Sequence, residues 1–233
     1  MRATFVRKEP EAKNIYTFYF RPEKPVRYIA GQFTELYLPH AGKDKRSDKR
    51  FFTLSSSPHE ELLTITTNFT SPNGSTFKSE LANLKKGQPV NLASPMGDFV
   101  LPKDPTIPLI FVAGGIGCTP FHSIVSWLDN QNEKRDITLL YSAKTLDKVA
   151  FGSTFKKLGK NFKIILQNAP ENWRGPTGKF SADLIQELAE ITPEHYIYVS
   201  GPEPMVETIS KDLKKAGINK RHTYTDFFPG YIY

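Results

Sequence analysis

Phe111-Val112-Ala113-Gly114-Gly115-Ile116-Gly117-Cys118-Thr119-Pro120 reads as an apolar run, a glycine turn, and a Thr-Pro pair opening a helical pattern. Such a run is a buried strand delivering the chain to the start of a helix. Glycines at the turn remove the Cβ atoms that hold a ligand away from the backbone, and they accept positive φ. The helix start presents free N–H groups and a partial positive charge, so anions settle there. Pro120 suits the first helical turn, where its missing N–H costs nothing. The spacing departs from G-x-G-x-x-G, because Thr119-Pro120 stands where a third glycine would be. Alone, the turn is equally a structural strand–helix connection, and its surroundings decide between the two.

Downstream, apolar strands are expected at 109–113, 137–141, 162–166 and 196–200. Helical patterns fill the gaps near 119–130, 151–158, 181–190 and 203–216. Strand–helix alternation of this kind predicts a doubly wound parallel α/β sheet with ligands at the carboxyl ends of its strands. Upstream the rhythm differs. Stretches 4–8, 15–21, 32–38, 50–56 and 62–69 mix β-branched, aromatic and polar residues, and turn chemistry separates them. One helix is expected over 76–84, placing Phe77, Leu81 and Leu84 on one face, followed by short strands at 90–93 and 99–101. This pattern predicts a small antiparallel β-barrel. The proline-rich stretch 102–108 divides the chain into a barrel domain, 1–102, and an α/β domain, 103–233.

The 233 residues are 39% hydrophobic and 12% aromatic, a globular composition. No apolar run reaches membrane-spanning length and MRATFVRKEP does not read as a secretory signal, so a cytoplasmic setting is expected. The single cysteine excludes an internal disulfide and a cysteine-ligated zinc or iron–sulfur site within the chain, and no metal site is expected. The net charge of +7 and pI near 9.3 suggest an anionic partner. The basic residues are scattered, however. The one dense stretch, Lys43-Asp44-Lys45-Arg46-Ser47-Asp48-Lys49-Arg50, is diluted by aspartates, and no nucleic-acid module accompanies it. An acidic protein or an anionic cofactor is the better match.

Four further stretches carry chemistry. In Arg50-Phe51-Phe52-Thr53-Leu54-Ser55-Ser56, strand alternation puts Arg50, Phe52 and Leu54 on one face and Thr53 and Ser55 on the other. An arginine clamps phosphate, an aromatic stacks on a flat ring, and a hydroxyl bonds a ring nitrogen. Asn73-Gly74-Ser75-Thr76-Phe77-Lys78 opens the first helix with small hydroxyl residues, as caps or as a pyrophosphate seat. Val199-Ser200-Gly201-Pro202-Glu203-Pro204-Met205 again sets a small residue and glycine at a strand end before a proline-started helix. Tyr141-Ser142-Ala143-Lys144 offers a hydroxyl and a cation, which suits a ribose 2′-phosphate better than a free 2′-hydroxyl.

Taken in order, these motifs, with Gly97-Asp98-Phe99 and an aromatic C-terminus, resemble the ferredoxin–NADP reductase family over essentially the whole chain. The resemblance implies an FAD-dependent NAD(P)H oxidoreductase. Arg50 would contact the flavin pyrophosphate, and Phe52 would stack on the isoalloxazine where many relatives carry Tyr. Thr53 would lie near flavin N5, and Ser75 and Thr76 would hold the FAD phosphates. Gly115, Gly117 and Thr119, with Gly201, Pro202 and Met205, would receive the nicotinamide dinucleotide. Ser142 and Lys144 would favour NADP over NAD, with Lys148 assisting. Ser200 stands where relatives often have Cys. Phe228 is the expected cover of the second flavin face, with the Asp226 carboxylate nearby, so that Thr53, Ser200 and Asp226 form the expected catalytic set. His122 and His195 read as surface or packing residues, since hydride transfer needs no general base. Electrons would pass to a separate acidic carrier, ferredoxin or flavodoxin. A ferric or free-flavin reductase, or a flavin-bearing subunit inactive without its partner, are the alternatives.

Overall fold

A computed structural model describes residues 1–40, 48–69 and 75–228. The basic residues 43–47, Asn73-Gly74 and the terminal aromatic residues Tyr231 and Tyr233 lie outside the described residues.

Six strands, β1 (Arg2–Ala12), β2 (Ile15–Pro22), β3 (Phe33–Tyr37), β4 (Lys49–Thr53), β5 (Leu63–Asn68) and β6 (Pro89–Leu92), make one antiparallel sheet in the order β4-β3-β6-β1-β2-β5. Its two edges meet where Leu54 bridges Ile65 and the Ser55 N–H donates to the Thr64 carbonyl at 2.9 Å. The sheet thereby curls into a barrel with no open edge there. Phe5, Phe18, Phe20, Leu36 and Ile65 fill it. Helix α1 (Thr76–Asn83) closes one end by burying Phe77 and Leu81. Strand β5 is buried along five successive residues, so its threonine hydroxyls need internal partners. They find them in Thr17 Oγ1 to Thr66 Oγ1 at 2.9 Å and in Ser55 Oγ to both Thr64 and Thr66 Oγ1 at 2.8 Å.

The second sheet is wholly parallel. Strands β7 (Leu109–Gly114), β8 (Ile137–Ala143), β9 (Phe162–Leu166), β10 (Tyr196–Pro202) and β11 (Thr223–Phe228) lie in the order β11-β10-β7-β8-β9. Alternate residues of the apolar runs serve opposite faces, which is why these strands lack polar alternation. Phe111 and Ala113 pack with Phe121 and Ile124 of α2 (Thr119–Gln131). Ile110 and Val112 pack with Ile185 of α4 (Ala182–Ala189) and with Val206 and Ile209 of α5 (Glu203–Lys215). No helix among the described residues is long and apolar enough to cross a membrane.

Three elements differ from the sequence reading. The segment at 99–101 is not a strand. Phe99 is a buried plug between the sheets, its ring 5.2 Å from Tyr198 and 5.6 Å from Phe121. Helix α3 (Gly152–Phe155) lasts one turn and passes into 3-10 geometry over Lys156–Asn161, broken at Gly159 with φ 60° and ψ −128°. The C-terminal stretch, expected as a tail, contains β11, paired in parallel with β10. Parallel pairing joins segments distant in sequence and leaves no local turn signal to read.

Cys118 lies fully buried at the head of α2, and burial pushes its thiol pKa up to about 12. The native thiol should therefore resist an aromatic disulfide reagent at pH 8 and react only as the protein unfolds in denaturant. A burst of labelling in buffer would contradict this packing.

Candidate cofactor and redox site

The site lies at the carboxyl edge of the parallel sheet. After β7 the chain makes a 3-10 turn over Gly115–Cys118 and runs directly into α2, so the helical N–H groups begin one turn earlier than Thr119. The three glycines of the turn differ in what they allow. Gly115 has φ +53° and a Cβ built there meets nothing within 4 Å, so this position faces open space. A Cβ at Gly117 would stand 2.2 Å from the Ser200 carbonyl oxygen and 2.6 Å from Gly201 Cα. A Cβ at Gly114 would stand 2.3 Å from Met205 Sδ. The turn thus rests backbone to backbone on the end of β10. Met205, 3% exposed, fills the space beneath it and belongs to the core. Thr119 is also buried, and its hydroxyl donates to the Ile116 carbonyl at 3.1 Å. Pro202 precedes α5 and places a second helix start beside the first.

Strand register sets the next layer. On the parallel pair β10–β11, Ser200 stands opposite Asp226, and Pro202 opposite Phe228. Ser200 Oγ is buried and has no hydrogen-bond partner among the described residues. Thr53 Oγ1, delivered by β4 of the barrel, is in the same condition. The Asp226 carboxyl is near both hydroxyls, which favour its ionised form, but neither contact reaches hydrogen-bonding geometry. Burial outweighs them and raises its pKa to about 6. Three strands from two sheets therefore bring Thr53, Ser200 and Asp226 together. A buried hydroxyl without a partner costs about 1–3 kcal/mol, and two beside one carboxyl mark a place where a ligand with polar edges would find partners.

The barrel supplies the remaining groups. The Arg50 guanidinium lies 4.9 Å above the Phe77 ring, and Phe52 packs on the same ring at 6.1 Å. Arg50 and Phe52 thus share a face as strand alternation requires, while Phe51 points out, 58% exposed. Ser75 caps α1, its Oγ accepting from Lys78 N–H at 3.3 Å, and Thr76 begins the helix at the surface. At the end of β8, Ser142 is buried and receives Gln167 Nε2 at 3.5 Å. Lys144, just beyond, is exposed, its carbonyl accepting from Asn168 N–H at 2.8 Å. Phe228 is half-buried at the end of β11. No cluster of three or more metal-ligating side chains occurs among the described residues.

Sequence reasoning passed over one feature. His122 and Ser123, on the buried side of α2, bond to the barrel at Ser55 and Ser56. Their only sequence signal is two polar residues inside an apolar helix face, which reads as packing.

A family model described as an oxidoreductase NAD-binding domain matches residues 111–211. Flavohemoprotein A of Dictyostelium discoideum is 27% identical over 233 residues, covering 95% of this chain and 58% of that protein. The stachydrine N-demethylase reductase subunit Stc4 of Rhizobium meliloti is 26% identical, covering 96% of this chain and 65% of that protein. The chain thus spans less than two thirds of the length of either relative. The crystal structure of a ferredoxin NADP+ reductase from Neisseria gonorrhoeae with bound FAD and NADP superposes with a TM-score of 0.80 at 18% identity, over 97% of this chain and 98% of that one. The chain thus carries a match to an oxidoreductase NAD-binding domain over 111–211 and shares the fold of that reductase, an α/β unit joined to a closed antiparallel barrel.

Proposed function

We propose that this chain is an FAD-dependent NAD(P)H oxidoreductase that hands electrons to a separate acceptor, with the barrel (1–102) holding the flavin and residues 103–233 the nicotinamide dinucleotide. The observation that carries it is the pair of unsatisfied buried hydroxyls, Thr53 and Ser200, beside Asp226 and next to the open Gly115 turn. A planar heteroaromatic group with polar ring atoms satisfies them, so the residues present fit a flavin and a nicotinamide. Such a flavin would take a hydride from NAD(P)H and release electrons one at a time.

The chain's own residues have separable tasks in this reading. Arg50 binds a pyrophosphate, assisted by the N–H groups at the start of α1. Phe52 covers one flat face, and Phe228 the other. Gly115 and the first turn of α2 receive the dinucleotide phosphates, and Gly117 and Gly201 let the β10 end approach them. Thr119, its hydroxyl spent on Ile116, serves by holding that turn. Thr53 and Ser200 orient the reacting rings through their hydroxyls, and Asp226 holds or yields a proton near pH 6. Ser142 and Lys144 recognise the ribose 2′-phosphate, with Lys148 of the following 3-10 turn assisting.

Charge supports one class of acceptor. A net +7 suits an acidic carrier with the chemistry of a ferredoxin or flavodoxin. A haem protein or an oxygenase component is the second reading, favoured by relatives named as a flavohemoprotein and a demethylase reductase subunit.

Anaerobic titration of the yellow protein tests the first half-reaction. NADPH should bleach the flavin absorbance faster than NADH, and Lys144→Glu should shift that ratio toward NADH by about tenfold or more. An unbleached protein would refute the enzymatic reading, and an unmoved ratio would refute the role of Lys144. For the second half-reaction, charge reversal at Lys45, Arg46 and Lys49 should slow reduction of an acidic carrier about tenfold while sparing a small dye. Equal slowing of both would place these residues elsewhere in the reaction.

Titration of Asp226 gives a third test. Its folded pKa, about 6, exceeds the ordinary 3.8, so the native state binds the extra proton between those values. Its stabilising contribution is complete below pH 3.8 and is lost as pH rises through 6. Asp226→Asn should remove that component from the pH profile of the melting temperature. An unchanged profile would show that the carboxyl titrates at its ordinary value.

A further inference from the structure

Two adjacent residues of α2 reach across to the barrel and grip two adjacent carbonyls. His122 Nδ1 donates to the Ser55 carbonyl at 2.7 Å, and Ser123 Oγ donates to the Ser56 carbonyl at 2.6 Å. A carbonyl only accepts, so the imidazole carries its proton on Nδ1. That leaves Nε2 to accept from the Ser126 hydroxyl at 3.4 Å. Burial holds the imidazole pKa down to about 4, so it is the neutral donor this geometry requires throughout the neutral range. The ring is also clamped flat against Phe151, centroids 3.8 Å apart and 20° between planes, and the Phe151 N–H donates to Glu11 Oε1 of β1 at 2.8 Å.

The gripped turn is itself tied into the barrel by several hydrogen bonds. Tyr28 OH donates to the same Ser56 carbonyl at 2.9 Å and lies 2.8 Å from Ser56 Oγ, which accepts from Thr64 N–H at 3.1 Å. Ser55 Oγ is locked to Thr64 and Thr66. Thr53 lies two residues upstream. A shift of α2 is therefore passed to Thr53 rather than absorbed by a slack loop. The head of that same helix is the Gly115–Cys118 turn.

Resting on the oxidoreductase reading above, we propose that His122 and Ser123 are positioning residues: their two-point clasp sets the distance between the nucleotide seat at the head of α2 and the flavin-facing strand end that carries Thr53. Hydride transfer needs reacting atoms about 3–3.5 Å apart, and a misplacement of about 1 Å costs on the order of a hundredfold in rate. A clasp that controls this register acts on the chemical step and leaves nucleotide affinity alone.

Stopped-flow bleaching of the FAD-loaded protein by saturating NADPH, with protium or deuterium at C4, tests this on Ser123→Ala, Ser123→Cys, His122→Phe and His122→Asn. Phe keeps the stack on Phe151 but has no donor, whereas Asn places an N–H where Nδ1 stood; Cys keeps the shape of Ser with a weaker donor. The limiting rate should fall about tenfold in Ser123→Ala and His122→Phe and recover to within about threefold in His122→Asn. Ser123→Cys should fall between wild type and Ser123→Ala. The half-saturating NADPH concentration should stay within about twofold, and the isotope effect should become temperature-dependent in the impaired variants. Limiting rates within twofold of wild type, or equal losses in His122→Phe and His122→Asn, would overturn the clasp while leaving the oxidoreductase reading intact. A wild-type protein that NADPH does not bleach would overturn both. Loss of bound FAD from Ser123→Ala, with His122→Phe and Ser123→Cys loaded and unimpaired, would assign the contact to stability alone and overturn the proposal.

Discussion

The constraint on which the site depends is the backbone contact between Gly117 and the end of β10. No side chain intervenes, because a Cβ there would stand 2.2 Å from the Ser200 carbonyl oxygen. That contact presses the glycine turn onto Ser200-Gly201 and brings two helix starts side by side. It also makes the position of Ser200 a property of the turn. Any larger residue at 117 would lift the head of α2 off the strand, and the Ser200 hydroxyl and the glycine turn would separate. Gly115, in contrast, is open to solvent, and its positive φ shapes the opening rather than the packing.

The two units meet through directed contacts laid along an apolar seam, where Ile15, Ala30 and Phe99 join the core of Phe121 and Ile124. Phe99 plugs the space between them. Tyr198 OH donates to the Val100 carbonyl at 2.8 Å, and Arg135 holds the carbonyls of Pro102 and Asp104 at 3.0 and 2.9 Å. Lys13 N–H donates to the Asp147 carbonyl at 2.9 Å. Hydrogen bonds fix direction where apolar contact fixes only proximity. The proposed hydride transfer, whose rate would depend on fractions of an ångström, calls for that kind of joint. The stacked pair Tyr198 and Tyr224, rings 4.5 Å apart and 8° from parallel, extends the same rigidity one layer below Ser200 and Asp226.

Much of this architecture was legible in residue patterns. The apolar runs of β7, β8, β9 and β10 and the amphipathic periods of α2, α4 and α5 report local burial, and burial has a period that the chain displays directly. The glycine turn was legible because only glycine suits such close approach. Phe99 was misread as a strand residue, since a short apolar stretch looks the same whether it pairs or plugs. Strand β11 was missed because its partner lies more than twenty residues away, and an edge strand needs only one buried face. The clasp of His122 and Ser123 was invisible for a related reason. A polar residue on an apolar helix face announces that it has a partner, not which partner it has.

The sequence by itself determined the two rhythms of the chain, the strand ends where small residues gather, and the residue types that could bind phosphate or an aromatic ring. These depend on neighbours within a few positions, where covalent geometry and burial dictate the pattern. Only the tertiary structure decided that Thr53, Ser200 and Asp226 come together, that Thr119 and Met205 turn inward, and that α2 is fastened to the barrel at Ser55 and Ser56. Those facts depend on register between strands of different sheets. Register is set by the packing of the whole molecule, and no local stretch of chain encodes it.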